Sequence, residues 1–238
     1  MEKCTAVVLA AGQGKRMQSQ VQKQFILLQG FPVLYYSLKC FEDCEWMDEI
    51  ILVTGADQME YCRKEIVERY GFRKVERIVE GGAQRYDSVY RGLQACSGCD
   101  YVFIHDGARP FVDGEILERG LEQVRKWDAC VAGMPVKDTV KIVDERGRVV
   151  QTPPRNLVWT IQTPQIFRWD LVYRAYGEAL MRDCSGITDD GMVVEAYGNH
   201  PVKVFQGSYY NMKITTPEDL GIAERFLEER KQLSGREK

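Results

Sequence analysis

The first apolar run of the chain closes in Ala10-Ala11-Gly12-Gln13-Gly14-Lys15-Arg16-Met17, and Lys23 follows shortly after. Small residues let a backbone approach a ligand closely, and bare N–H groups hold an anion. Arg16 and Lys23 beside such a nest suit a triphosphate, whose charge builds up in the transition state of phosphoryl transfer. The plain alternative is a pair of solvated surface cations. The loop fits neither common nucleotide motif. A dinucleotide fingerprint calls for a third glycine where Met17 stands, and for an acid closing the second strand where Thr54-Gly55 stand. A Walker loop calls for Gly-Lys-Ser/Thr, but Gly14 is followed by Lys15-Arg16.

Two further stretches carry chemistry. Gly81-Gly82 precedes a helical pattern that holds Ser88 about one turn in, so bare backbone there can hydrogen-bond a base edge. A strand-to-helix turn with a glycine pair explains the same residues. His105-Asp106-Gly107-Ala108-Arg109-Pro110 follows an apolar strand, and ligands bind at the carboxyl ends of parallel strands. Asp106 suits a divalent cation or sugar hydroxyls, and Arg109 suits a phosphate through its planar fork. A structural Asp–Arg pair is the competing reading, and His105 reads as structural. Cys96-Ser97-Gly98-Cys99 has the spacing of a redox or zinc half-site, but the chain has only two histidines and no second Cys-x-x-Cys. Its eight cysteines therefore read as reduced, mostly small hydrophobes.

These residues need elements to position them. The chain has 238 residues, 45% hydrophobic, enough for one substantial core. Lys and Arg number 32 against 35 Asp and Glu, a net charge of −3, so no excess points to nucleic acid or a membrane surface. No apolar run reaches the roughly 18 residues of a span, and the start lacks a signal-peptide pattern, so the expected location is the cytoplasm. Buried strands are expected at 4–10, 50–54, 75–79, 101–104 and 129–135. Amphipathic helices are expected at 59–70, 85–96 and 115–127, the last capped by Asp113, with a final helix opening at Thr216-Pro217-Glu218-Asp219. That alternation predicts an α/β fold with a Rossmann-like, doubly wound, mostly parallel sheet. A hairpin breaks the rhythm: 139–143, a turn at 144–148, then 149–151. It is expected to project from the sheet as an arm that needs a partner, a second copy of the chain, rather than to fold back on its own domain.

Taken in order, these blocks resemble the signature of the 2-C-methyl-D-erythritol 4-phosphate cytidylyltransferase family. The resemblance runs from Ala10-Ala11-Gly12-x-Gly14-x-Arg16-Met17 and Lys23-Gln24-Phe25 through Gly81-Gly82-x-x-Arg85-x-x-Ser88-Val89 and His105-Asp106-x-Ala108-Arg109-Pro110. It continues through Pro135-Val136-x-Asp138-Thr139, Arg155, Thr163-Pro164-Gln165, Thr188-Asp189 and Asn211-x-Lys213-Ile214-Thr215. Gln22 stands where the family usually has Pro, and Tyr210 stands where some members have Asp.

The resemblance implies a single domain over residues 1–238, with a dimerisation arm at about 137–156. It also implies transfer of a cytidylyl group from CTP to methylerythritol phosphate, assisted by Mg²⁺ or another divalent cation. It assigns Ala10, Ala11, Gly12, Gly14, Arg16, Lys23, Gly81, Gly82, Ser88 and Asp106 to CTP, and Asp106 to the metal. Asp106, Arg109, Thr139, Arg155, Thr188, Asp189 and Lys213 fall to the acceptor, with Thr139 and Arg155 supplied by the neighbouring subunit's arm. Arg16, Lys23, Arg155 and Lys213 are the expected catalytic set. Ribitol-5-phosphate cytidylyltransferases share much of this pattern but tend to open with Leu-Ala-Gly-Gly, where this chain has Leu9-Ala10-Ala11-Gly12. A non-catalytic nucleotide-binding module would be expected to lack the charged residues, which are present. A dehydrogenase conflicts with the missing third glycine and strand-end acid.

Overall fold

The computed structural model describes residues 2–12, 21–182, 184 and 186–234, the last three by backbone alone. In chain order the elements are β1 (Cys4–Ala10), the short pair β2 (Leu27–Leu28) and β3 (Phe31–Pro32), α1 (Val33–Asp43), β4 (Glu49–Thr54), and α2 (Met59–Tyr61), which runs on as a π-helical stretch over Cys62–Glu68. Then come β5 (Val75–Glu80), α3 (Arg85–Ala95), β6 (Tyr101–Asp106), α4 (Gly114–Trp127), β7 (Ala129–Pro135), β8 (Ile142–Val143) and β9 (Val149–Gln151). The chain finishes with β10 (Trp159–Arg168), α5 (Trp169–Leu180), α6 (Asp190–Tyr197), β11 (Lys203–Gln206) and α7 (Pro217–Ser234).

Seven strands form one sheet in the order β11-β7-β10-β6-β1-β4-β5. β1 lies at its centre, parallel to both β4 and β6. Only β10 is reversed, antiparallel to β6 and β7. Alternate side chains of the strands enter two cores. Ala6, Val8, Ile50, Leu52 and Phe103 pack with Leu34, Phe41, Ile66 and Leu117 on one face. Val7, Ile51, Val53, Val102 and Ile104 pack with Val89, Val172 and Val193 on the other. Period-two strands between helices on both faces give the doubly wound arrangement.

The expected strands and helices form, with three differences. β5 is the sheet's edge, paired only with β4, and none of its residues is fully buried, so the expectation of a buried strand at 75–79 is corrected. The hairpin's first strand is two residues long, not five, and its partner β9 is exposed throughout. Its turn is closed locally: Asp144 Oδ1 accepts from the N–H groups of Arg146 and Arg148, and Gly147 takes a φ of +76°. At the last helix the acid does the capping: Asp219 Oδ2 accepts from Thr215 N–H, Thr216 N–H and the Thr215 hydroxyl. The Asp113 cap is as expected, accepting from Ile116 N–H at 2.9 Å.

Register now places the chemistry. Ala10 pairs with Thr54, Thr54 with Glu80, and Leu9 with Asp106. The carboxyl ends of β1, β4, β5 and β6 therefore line one rim of the sheet, where the Gly12, Gly81-Gly82 and Asp106-Arg109 loops emerge together.

Candidate active site

The β1 loop is anchored from its far side. Gln24, almost fully buried in a single helical turn over Lys23–Phe25, donates through Nε2 to the carbonyls of Ala10 (2.6 Å) and Gly12 (3.2 Å). The glycine pair faces it across the rim. A Cβ on Gly81 would stand 2.5 Å from Ala11 Cβ and 2.8 Å from Ser88 Oγ, so only glycine lets the two loops approach. Gly82 N–H donates to Ser88 Oγ at 3.1 Å. Gln84 and Asp87 form a reciprocal capping box at the start of α3, which fixes the direction in which Arg85 leaves the helix.

Asp106 is the carboxylate at the centre of this rim. Its backbone N–H donates to Thr163 Oγ1 (3.1 Å), that hydroxyl contacts His105 Nδ1 (3.1 Å), and His105 Nε2 contacts the Arg109 carbonyl (3.2 Å). A carbonyl only accepts, so Nε2 carries the imidazole proton and Nδ1 accepts from the hydroxyl. His105 is thus a neutral strut. Burial pushes its pKa down to about 4 against the pull of the neighbouring Asp106. The carboxylate itself faces two cations, Lys213 Nζ at 2.7 Å and Arg85 Nε at 3.2 Å. Burial alone would raise its pKa, but Arg85, Lys213 and Arg109 outweigh it and hold the group well below the carboxylate range.

Lys213 reaches Asp106 because its segment is pinned on the β6 loop. The Asn211 carbonyl accepts from Arg109 Nη1 (2.8 Å), Asn211 Nδ2 donates to the Thr163 carbonyl (2.8 Å), and Ile214 N–H donates to the Ala108 carbonyl (2.8 Å). Thr163 sits where β10 slips register against β7 between Ile161 and Gln165, a bulge that brings Gln162 and Thr163 to the rim.

Two cavities share this centre. The larger, about 670 Å³, is lined by Ala10, Ala11, Gly12, Lys23, Gly82, Ser88, Arg85, Asp106 and Lys213, among others. The smaller, about 300 Å³, is lined by Arg109, Gln162, Thr163, Gln165, Thr188, Asp189 and again Arg85, Asp106 and Lys213. Those three charged residues are the common wall. Asp189 also caps α6, accepting from Met192 N–H, while Gln165 Nε2 holds its other oxygen at 3.0 Å. Thr139 and Arg155 lie elsewhere. Both are exposed near the hairpin, with Arg155 Nη1 on the Lys137 carbonyl, and neither lines either of these two cavities. Gly14 and Arg16 fall outside the described residues.

Reading by motif assigned no role to Arg85, Gln24, Gln162, Gln165, Tyr176 or Asp190. Arg85 stood in a quoted motif and Asp190 next to one, but no local spacing says that α3 and α6 meet.

Residues 4–229 match the 2-C-methyl-D-erythritol 4-phosphate cytidylyltransferase family. The chain belongs to that family. The protein of that name from Lachnospira eligens is 51% identical over 224 residues, covering 94% of this chain and 98% of its own length. The one from Alkaliphilus oremlandii is 47% identical over 233 residues, 98% of each. The crystal structure of 4-diphosphocytidyl-2C-methyl-D-erythritol synthase from Anaerococcus prevotii superposes with a TM-score of 0.84 at 35% identity, over 95% of this chain and 99% of that one. As a member of the 2-C-methyl-D-erythritol 4-phosphate cytidylyltransferase family, this chain accommodates its two departures locally. Gln22 Oε1 accepts from Gln24 Nε2 at 2.6 Å, joining the anchor of the β1 loop. Tyr210 packs edge-on against Phe226 of α7, ring centroids 4.6 Å apart, which takes its ring into an aromatic contact with the last helix.

Among the described residues, no three carboxylate, imidazole or thiol groups converge as a metal cage. Asp106 is, among the described residues, the only carboxylate lining the larger cavity, and both of its oxygens face cations. Of this donor set, Asp106 is the residue that would hold a divalent cation, whose remaining ligands would have to come from elsewhere.

Proposed function

We propose that the larger cavity holds CTP and the smaller one methylerythritol phosphate, meeting at the wall of Arg85, Asp106 and Lys213. The chain is a nucleotidyltransferase that moves the cytidylyl group of CTP onto 2-C-methyl-D-erythritol 4-phosphate in the isoprenoid precursor pathway. Pyrophosphate is the other product. The observation that carries the assignment of the cavities is their shared wall: two pockets that open onto the same two cations and one carboxylate can hold two phosphates in contact.

An oxygen of the acceptor phosphate attacks the α-phosphorus of CTP. The new P–O bond forms as the bond to the β-phosphate bridging oxygen breaks, and that oxygen leaves with the electron pair on pyrophosphate. The nucleophile is already an anion at neutral pH, so catalysis is positioning plus charge neutralisation. Lys23, at the mouth of the larger cavity, and Arg16 offset charge on the α-phosphate and the leaving group. Ala10, Ala11 and Gly12 take the nucleoside and phosphates against bare backbone, and Gly81, Gly82 and Ser88 read the cytosine edge. Lys213 and Arg109 receive the acceptor phosphate, with Asp106 orienting Lys213 and Thr188 contributing its hydroxyl. Asp106 would hold a divalent cation if one is used, and such an ion would supply further charge neutralisation.

Thr139 and Arg155 act in trans. The exposed apolar side chains beside them, Ile142, Val143, Val149, Val150, Leu157 and Trp159, belong against a second copy of the chain. The working unit is therefore a homodimer. No described helix is long and apolar enough to cross a membrane. Pyrophosphate release measured with CTP and a panel of acceptors tests the reading. Turnover is expected with methylerythritol phosphate and not with ribitol 5-phosphate; the reverse preference would overturn the acceptor assignment.

A further inference from the structure

Arg85 uses its whole fork on acids. Nη1 and Nη2 donate to Asp190 Oδ1 and Oδ2, each at 2.8 Å, while Nε donates to Asp106 Oδ1 at 3.2 Å. Asp190, at the first position of α6, has no solvent exposure, and the Tyr176 hydroxyl of α5 donates to its Oδ1 at 2.5 Å. Tyr176 is itself buried. Helices α3, α5 and α6, all on one face of the sheet, therefore meet at a single carboxylate that touches neither cavity. A buried ion pair adds little net stability, because desolvation offsets the attraction. Stability alone does not account for this carboxylate; the two-point grip does, since a bidentate contact fixes the plane of a guanidinium that a single contact would leave free to turn.

We infer that Asp190 is a positioning residue for cytidylyl transfer: locked by Tyr176, it fixes the Arg85 guanidinium that divides the two cavities and so holds Asp106 towards Lys213. This rests on the two-cavity reading above. Through Arg85, Asp190 sets the place where the two phosphates meet without touching either. Asn at position 190 keeps the volume and loses the paired acceptors. Arg85 is then free to swing, and Asp106 loses one of its two anchored cations.

The test is a double-mutant cycle on the full chain with CTP and methylerythritol phosphate, comparing Asp190→Asn, Arg85→Met and the pair. Calorimetric CTP binding reports the folded fraction. Asp190→Asn is expected to lower kcat/KM about 10- to 100-fold, as small misplacements of reacting groups do. The KM for the acceptor should rise while the CTP stoichiometry stays near that of the unmodified chain. The double variant should be no slower than Arg85→Met alone. A purely structural role would instead lower the stoichiometry and kcat by one factor and leave both KM values unchanged, and that result overturns the inference. So do additive losses in the cycle. Tyr176→Phe removes one hydrogen bond and keeps the carboxylate, so it reports even if Asp190→Asn does not fold. An increase of about fivefold in acceptor KM is expected from the loss of one such bond, and no change overturns the inference. An unmodified chain inert towards both substrates would overturn the assigned reaction itself; an active one with unaltered Asp190→Asn kinetics overturns this inference alone.

Discussion

Lys213 Nζ stands 2.7 Å from Asp106 Oδ2, although 107 positions separate the two residues. Their contact is the hinge between the cavities, and Asn211 and Ile214 hold it by bonding to Thr163, Arg109 and Ala108.

Asp106→Asn removes the charge that two cations share. Because the folded carboxyl lies well below its ordinary value, its stabilising contribution is complete above the unfolded pKa of about 4 and is lost as pH falls below that. The difference in melting temperature between the variant and the unmodified chain should be constant above about pH 5 and shrink below about pH 4. Thermal melts across that range check the sign, and kcat should fall about 100-fold at neutral pH from misplacement of Lys213.

His105 contributes in a higher window. It is buried neutral with its pKa lowered to about 4, so the unfolded chain binds its proton first. Stability is full above about pH 6.5 and falls as pH drops towards 4, by about 3 kcal/mol in all. His105→Asn should be less stable at pH 7 and show a flatter slope between those limits in urea titrations.

Lys23→Ala should lower kcat by about 100- to 1000-fold, the loss seen when one preorganised donor to developing charge is removed. Its melting temperature should stay close to that of the unmodified chain, since Lys23 is only half-buried. Near-normal kcat would remove its assigned role.

Gln24→Ala leaves the carbonyls of Ala10 and Gly12 without their side-chain donor. A loss of about 1–3 kcal/mol in stability is expected for the buried group. The KM for CTP should rise with it while the acceptor KM holds, because Ala10, Ala11 and Gly12 line the larger cavity and not the smaller one.

Val150→Asp places a charge on a hairpin side chain that is 68% exposed in the single chain. On the proposed homodimer, light scattering should show dimers for the unmodified chain and monomers for the variant, and activity should fall with dissociation as the proposed delivery of Thr139 and Arg155 in trans is lost. A fully active monomer would refute action in trans.

The sheet was legible from local pattern. β1, β4, β6 and β7 are short apolar runs bounded by Gly, Asp or Pro, and burial on both faces writes itself directly into composition. β5 misled for the same reason: Val75, Ile78 and Val79 read as buried, but an edge strand has one neighbour and a half-covered surface. The reversed strand β10 was not foreseen, because its polar bulge at Gln162 and Thr163 breaks the alternation that marks a strand.

The sequence by itself determined the layered α/β architecture, the glycine positions at the rim, and the set of motifs that mark the family. Each rests on near neighbours in the chain: side-chain period, backbone freedom and helix caps. Only the tertiary structure decided that Lys213 lies on Asp106, that Arg85 joins Asp106 to Asp190, and that two cavities share one wall. Strand register, a bulge and the packing of three helices set those distances, and contacts between residues about a hundred positions apart leave no period in the sequence to read.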